Sequence, residues 1–285
     1  MDELRRSLGD VAAVILLFSV PAWAEFLHQT RPAMGSLVGI SLNSEAVDAN
    51  SHVEAAFAEI ESWEAQLSEW RPQSLSGRMN AGEKVSFPAE AEEMFAVAER
   101  LRLLSAGAFS LTWRGGELRS EAGQWWVEGG KVDLGGILKG FLVDRAIQKL
   151  EELGEHHFLI DAAGDIGARG NAPGQRGWPV TVDLYAYQVD LSLQNASLST
   201  SSPTWQPGHI RDARSGAEAR RLRAVTVVAP RGVEADALAT ATFASGSRLR
   251  WPESRVLWEE NGACGTRLRG DRAGVHIRRR PPENQ

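Results

Sequence analysis

The chain has 285 residues, 43% of them hydrophobic and 24% charged, an ordinary globular composition with ample length for a core. A formal net charge of −6 argues against a nucleic-acid binder. Cys264 is the only cysteine, which excludes an intrachain disulfide and a thiolate metal cluster.

Taken in order, the chain opens like an export signal. Arg5 and Arg6 precede the apolar run Val11 to Val20, and Ala22-Trp23-Ala24 offers a small-x-small cleavage site, although Asp2, Glu3 and Asp10 dilute the basic end. Residues 1–24 therefore read as a signal, leaving 25–285 as a single exported, periplasmic unit. Val38, Ile40 and Leu42 alternate in a strand from Leu37 to Leu42. Val53, Phe57, Ile60, Trp63 and Leu67 mark an amphipathic helix that ends before Arg71-Pro72. The segment from Gln66 to Asn80 is polar and turn-rich. A second helix opens with Pro88 at its first position, carries Met94, Val97, Leu101 and Leu104, and closes at Gly107. Val132 to Leu134 reads as a short strand, Gly135-Gly136 as a tight turn, and Ile137, Phe141, Leu142, Ala146 and Leu150 as a helix stopped by Gly154.

A strand at Phe158 to Ile160 then leads to Asp161, Gly164 and Asp165. Strands follow at Val180 to Leu184, Val189 to Leu193 and Ala196 to Ser199. Pro203 to Gly216 is a polar loop holding His209 and Asp212. Val225 to Ala229 is an apolar strand, and Val233 to Ser245 is a helix stopped by Gly246. Late strands are predicted at Arg255 to Trp258 and Val275 to Ile277, with a solvated tail from Arg278 to Pro282. Helices and strands interleave without strict βαβ alternation, which predicts one compact α+β unit.

Two stretches carry chemistry. Around Gly135-Gly136, strand, turn and helix aim backbone N–H groups at a place where an anion fits, with Lys131 and Lys139 nearby. A plain corner with glycines for close packing explains that stretch as well. Asp236 and Thr240 stand four apart on one helix face, and their hard oxygens suit Mg²⁺. A dipole-favoured aspartate beside a small packing threonine is the simpler reading of that pair alone. His209 in its turn-rich loop suits phosphate binding or proton transfer, and Thr200, Ser201 and Ser202 offer hydroxyls at a strand end. No G-x-S-x-G, H-E-x-x-H or Walker A sequence is present.

The order of these blocks resembles the ApbE family of FAD:protein FMN transferases, from about residue 30 to residue 246. The matching blocks are Met34-Gly35-Ser36, Leu67 to Asn80, Ala106 to Thr112, Val132 to Asp144, Ile160 to Ile166, Leu198 to Ser202, His209 to Gly216 and Val225 to Gly246. The specific ones are the lysine-glycine block at Lys139-Gly140 and the block Asp236-Ala237-Leu238-Ala239-Thr240. The resemblance implies a mixed or antiparallel sheet flanked by helices, of a T-fold-like kind, with FAD in a cleft between two lobes. It implies Mg²⁺ on Asp236, Thr240 and a backbone carbonyl at Gly136. It implies flavin-nucleotide contacts from Met34, Lys139, Phe141, Asp165, Thr200 and His209, with His209 and Asp165 as the catalytic pair. The implied reaction moves FMN from FAD to a threonine or serine hydroxyl of an acceptor flavoprotein and releases AMP, with peripheral contact to membrane flavoproteins.

Five positions depart from the family pattern: Ser110 for Asp, Ala163 for Gly, Ser202 for Gly, Ala213 for Pro, and Phe141 where Tyr is common. If the replaced glycines need positive φ, a Cβ at Ala163 or Ser202 costs strain. Those replacements point to one alternative, a protein that holds FAD without transferring it; a second is a pyrophosphatase that gives FMN and AMP with water as acceptor.

Overall fold

The computed structural model describes residues 26–113, 115–184, 187–203, 208–260, 263–267 and 275–279. The predicted signal at residues 1–24 lies outside them. The elements, in chain order, are β1 (Phe26–Ala33), β2 (Ser36–Asn43), α1 (Ala49–Leu67), α2 (Leu75–Asn80), α3 (Ala89–Leu104), β3 (Thr112–Trp113), β4 (Glu117–Glu121), β5 (Gln124–Glu128) and β6 (Lys131–Val132). Then come α4 (Leu138–Glu152), β7 (Phe158–Ala162), β8 (Asp165–Arg169), β9 (Trp178–Asp183), β10 (Tyr187–Leu193), β11 (Ala196–Ser201), β12 (Ala224–Ala229), α5 (Gly232–Ser245), β13 (Arg255–Glu260), β14 (Ala263–Arg267) and β15 (Val275–Arg279).

One eight-stranded sheet organises them, in the order β1-β2-β7-β8-β11-β12-β13-β14, and each of its neighbouring pairs is antiparallel. Antiparallel sheets admit two different faces. One face carries helices: Val38, Ile40 and Leu42 of β2 and Phe158, Ile160 and Ala162 of β7 pack with Val53, Phe57 and Ile60 of α1 and Val143, Ile147 and Leu150 of α4. Further along the same face, Val225 and Val227 of β12 pack against α5 and Met94 and Leu101 of α3. The opposite face, through Leu159, Ile166, Leu198 and Leu257, packs on the three-stranded sheet β15-β10-β9 around the fully buried Trp178. The α+β class is as the sequence predicts.

Register places the chemistry at one end of this sheet. Val38 pairs with Ala162 and Ile166 with Leu198. The Met34-Gly35 turn, the Ala163-Gly164 turn and Ser201 at the close of β11 are therefore neighbours. Both turns are two-residue hairpins with both central residues at positive φ, the geometry of a type I′ turn.

Several local readings are corrected. The segment from Gln66 to Asn80 is not only turns: Ser74 caps α2 by accepting from the Gly77 N–H at 2.9 Å, while its hydroxyl donates to the Ser68 carbonyl. Pro88 is the N-cap of α3, not its first helical residue. The strand before Gly135 covers only Lys131–Val132. Arg278 and Arg279 belong to β15, paired with Gln188 and Tyr187 of β10, rather than to a solvated tail. The hairpin β4–β5 was not anticipated, because its strands are largely exposed and show little alternation. Among the described residues no helix is long and apolar enough to cross a membrane.

Candidate metal and nucleotide site

Five of the expected residues meet where α4, α5, β8 and β11 come together. Asp236 lies in α5 and is 3% exposed, with its Oδ2 accepting the Gly140 N–H of α4 at 3.0 Å. Thr240 follows one turn later, its Oγ1 3.3 Å from the Ser201 hydroxyl of β11. Gly136 packs directly on Thr240: a Cβ there would lie 2.8 Å from the threonine Cγ2. Only glycine lets the turn backbone come this near. Lys139, at the start of α4, forms an ion pair with Asp165, the first residue of β8. Asp165 is 3% exposed, and its other oxygen, Oδ1, is buried without a hydrogen-bond partner.

The electrostatics follow from burial. Desolvation disfavours the charged form of Lys139, but Asp165, Asp236 and Asp161 outweigh it and hold the ammonium above the ordinary lysine pKa. Burial, then the neighbouring Asp165, pushes Asp236 well above the usual carboxylate range. Asp161 is raised by burial too, while the Gly164 N–H bound to its Oδ1 opposes the rise. Three carboxylates, of Asp161, Asp165 and Asp236, thus act on the single ammonium of Lys139.

A hard divalent cation fits this arrangement. Asp236 gives α4 only one oxygen, Thr240 brings a hydroxyl, and the Gly136 backbone lies against Thr240. Among the described residues no group of three or more His, Cys, Asp or Glu side chains is arranged to hold a metal. Such a set suits Mg²⁺ better than Zn²⁺, since Mg²⁺ keeps waters and takes few carboxylates together with substrate phosphates.

The remaining expected residues are placed differently. At the Gly135-Gly136 turn several amides already have partners. Gly135 N–H donates to Asp133, Ile137 and Leu138 N–H to the Leu134 carbonyl, and Gly140 N–H to Asp236. Phe141 is 5% exposed, with its ring edge-on to Trp63 at 5.3 Å, so its ring belongs to the core. The Thr200 hydroxyl bonds Thr226 at 2.8 Å, on the sheet face opposite to α5. Ser201, one residue on, faces the site instead. Met34 sits in its hairpin turn at φ +55°, with its N–H donating to Glu64 at 3.1 Å. His209 is exposed, and the loop that follows it is stitched by Ala219 N–H to the Ile210 carbonyl and by Ala213 N–H to the Ala108 carbonyl.

The departures sort by geometry. Ala163 occupies the left-handed region at φ +55°, where glycine is unstrained. Ser202 does not, and its hydroxyl donates to the Arg223 carbonyl. Ser110 Oγ accepts the Thr112 N–H, a turn bond that an aspartate also makes. Ala213 uses an N–H that proline lacks.

The fold is α+β, and it brings Gly136, Asp236 and Thr240 together beside the Lys139–Asp165 ion pair. The model of the ApbE family matches residues 34–116 and 117–255, and the chain belongs to that family. Over 130 residues it is 29% identical to an FAD:protein FMN transferase of Haemophilus influenzae, covering 40% of this chain and 38% of the relative. Over 140 residues it is 33% identical to one of Treponema pallidum, covering 41% of this chain and 39% of the relative. Each match thus spans about two fifths of the curated relative. The fold is similar to that of the flavin transferase ApbE from Vibrio cholerae, with a TM-score of 0.73 at 19% identity over 90% of this chain and 97% of the other. It is similar also to the flavinyl transferase ApbE of Pseudomonas stutzeri in its apo form, with a TM-score of 0.73 at 23% identity over 86% and 94%.

Proposed function

We propose that this protein transfers FMN from FAD to a threonine or serine hydroxyl of an acceptor protein and releases AMP, with Mg²⁺ held by Asp236, Thr240 and the Gly136 carbonyl. The observation that carries this reading is the convergence of Gly136, Lys139, Asp165 and Asp236 with Thr240 at the end of β11.

The bookkeeping of the reaction is simple. The acceptor oxygen bonds to the FMN-side phosphorus of FAD, the bond from that phosphorus to the bridging oxygen breaks, and AMP leaves with the bridging oxygen. The hydroxyl proton passes to a base, a role we give to His209. Mg²⁺, when bound, withdraws charge from the pyrophosphate oxygens as that bond breaks. Lys139 is a fixed cation beside that charge, and Asp165 holds it in place through the ion pair. Lys139 pairs directly with Asp165 rather than with Asp236, which favours Asp236 as a cation ligand over a salt-bridge partner. No protein nucleophile is required, since positioning and electrostatics supply most of the catalysis. Export to the periplasm, as the N-terminal sequence suggests, places such an enzyme with exported flavoproteins.

The test is flavin fluorescence on a threonine-containing acceptor peptide after incubation with FAD and Mg²⁺ and denaturing electrophoresis. The reading predicts a fluorescent, denaturation-resistant peptide band. Its absence with every threonine- or serine-containing acceptor tried refutes transfer.

A further inference from the structure

Two helices carry the same short pattern: Gly140-Phe-Leu-Val-Asp144 at the start of α4 and Gly232-Val-Glu-Ala-Asp236 at the start of α5. The structure shows why. Each glycine gives its N–H to the aspartate of the other helix. Gly140 N–H donates to Asp236 Oδ2 at 3.0 Å, and Gly232 N–H donates to Asp144 Oδ1 at 2.6 Å. Asp144 Oδ2 takes the next amide, Val233 N–H, at 2.9 Å. The helices cross at the two glycines with no room for a side chain: a Cβ on Gly140 would overlap the Gly232 carbonyl, and one on Gly232 would overlap the Gly140 carbonyl. The N-terminal amides of an α-helix lack intrahelical partners, so each aspartate caps the other helix.

The exchange is not symmetric. Asp144 uses both oxygens on α5, whereas Asp236 uses one on α4. Asp144 also needs its neighbours: burial pushes its pKa up to about 6, opposed by the two amides. We propose that Asp144 is a positioning residue for the metal site, an inference that rests on the reading of Asp236 and Thr240 as ligands. Its two bonds fix the rotation and height of α5 against α4. That setting ties one Asp236 oxygen to α4 and holds the Thr240 side chain against Gly136. Asp144 itself touches neither metal nor substrate.

Asparagine at 144 keeps the shape but turns an NH₂ group toward one of the two amides, so one bond is lost and the start of α5 tilts. Mn²⁺ binding by full-length protein, followed by electron paramagnetic resonance, reads the site without catalysis. Wild type is expected to bind Mn²⁺, Asp236→Asn to lose it, and Asp144→Asn to bind at least tenfold more weakly while still unfolding cooperatively above the assay temperature. Val53→Ala, a core truncation in α1, which carries none of the proposed ligands, is expected to melt earlier yet keep wild-type affinity. That contrast separates positioning from general loosening. If Asp144→Asn does not fold, Asp144→Glu carries both oxygens one methylene further and is expected to show the same weakening. Wild-type affinity in either folded Asp144 variant overturns the inference, as does an equal loss in Val53→Ala. Loss in Asp236→Asn alone sinks this inference and leaves the proposed function standing. A wild type that binds no Mn²⁺ overturns both.

Discussion

Ala163 shows what one methyl group does at a turn. The hairpin between β7 and β8 needs two residues at positive φ, and Ala163-Gly164 supplies +55° and +92°. Alanine there costs about 1 kcal/mol relative to glycine. Ala163→Gly is expected to stabilise the protein by about that amount in urea denaturation, because the turn also sets Asp161 and Asp165. An unchanged or lower midpoint contradicts the strain. Glu69 makes a second case. Burial and the nearby Asp133 push its carboxyl up to about 7, although it accepts the Leu134 N–H at 2.8 Å. The folded protein thus prefers the neutral acid. The stability this group contributes is full below its unfolded pKa near 4.5 and is lost as pH rises through about 7. Glu69→Gln stays neutral and keeps an acceptor for Leu134. Its melting temperature should match wild type near pH 4.5 and exceed it at pH 8, and equal differences at both pH values would refute the assignment. At single residues the sequence was most informative where the motif names an atom type: Asp236, Thr240, Gly136, Lys139 and Asp165. At Thr200 and Ser201 strand parity decides which hydroxyl faces α5, and it is Ser201; the end of β11 was predicted two residues short.

The long helices were visible because burial imposes a period: α1 and α4 place Val53, Phe57, Ile60 and Ala146, Leu150 on one stripe. Short or exposed elements were not. Hairpin β4–β5 has no buried face to force alternation, and α2 is held by a serine cap against the poor propensity of its glycine and asparagine. The close crossing of α4 and α5 was not legible, since nothing local says that Gly140 and Gly232 lie at one contact. Gly140→Ala is expected to cost roughly 3 kcal/mol, at the upper end of overpacking penalties, because the atom in the way is backbone and cannot swing aside. A urea midpoint within error of wild type would mean that the two helices separate freely.

Across the whole molecule, the eight-stranded sheet divides labour between its faces. The face carrying α1, α4 and α5 brings the chemistry, while the other is closed by β15-β10-β9 around Trp178. The order of the strands was beyond periodicity alone, since alternation says which residues face inward but not which strand lies beside which. The claim that depends on all of this is metal-assisted transfer from FAD, and AMP release reports it directly. With FAD and Mg²⁺, AMP should appear only when a threonine-containing acceptor is present, and Asp236→Ala should lower the rate at least a hundredfold, the order expected for loss of a catalytic metal. AMP released equally without acceptor would make the protein a pyrophosphatase. Stoichiometric FAD binding with no AMP under either condition would contradict catalysis altogether and leave a flavin-holding scaffold.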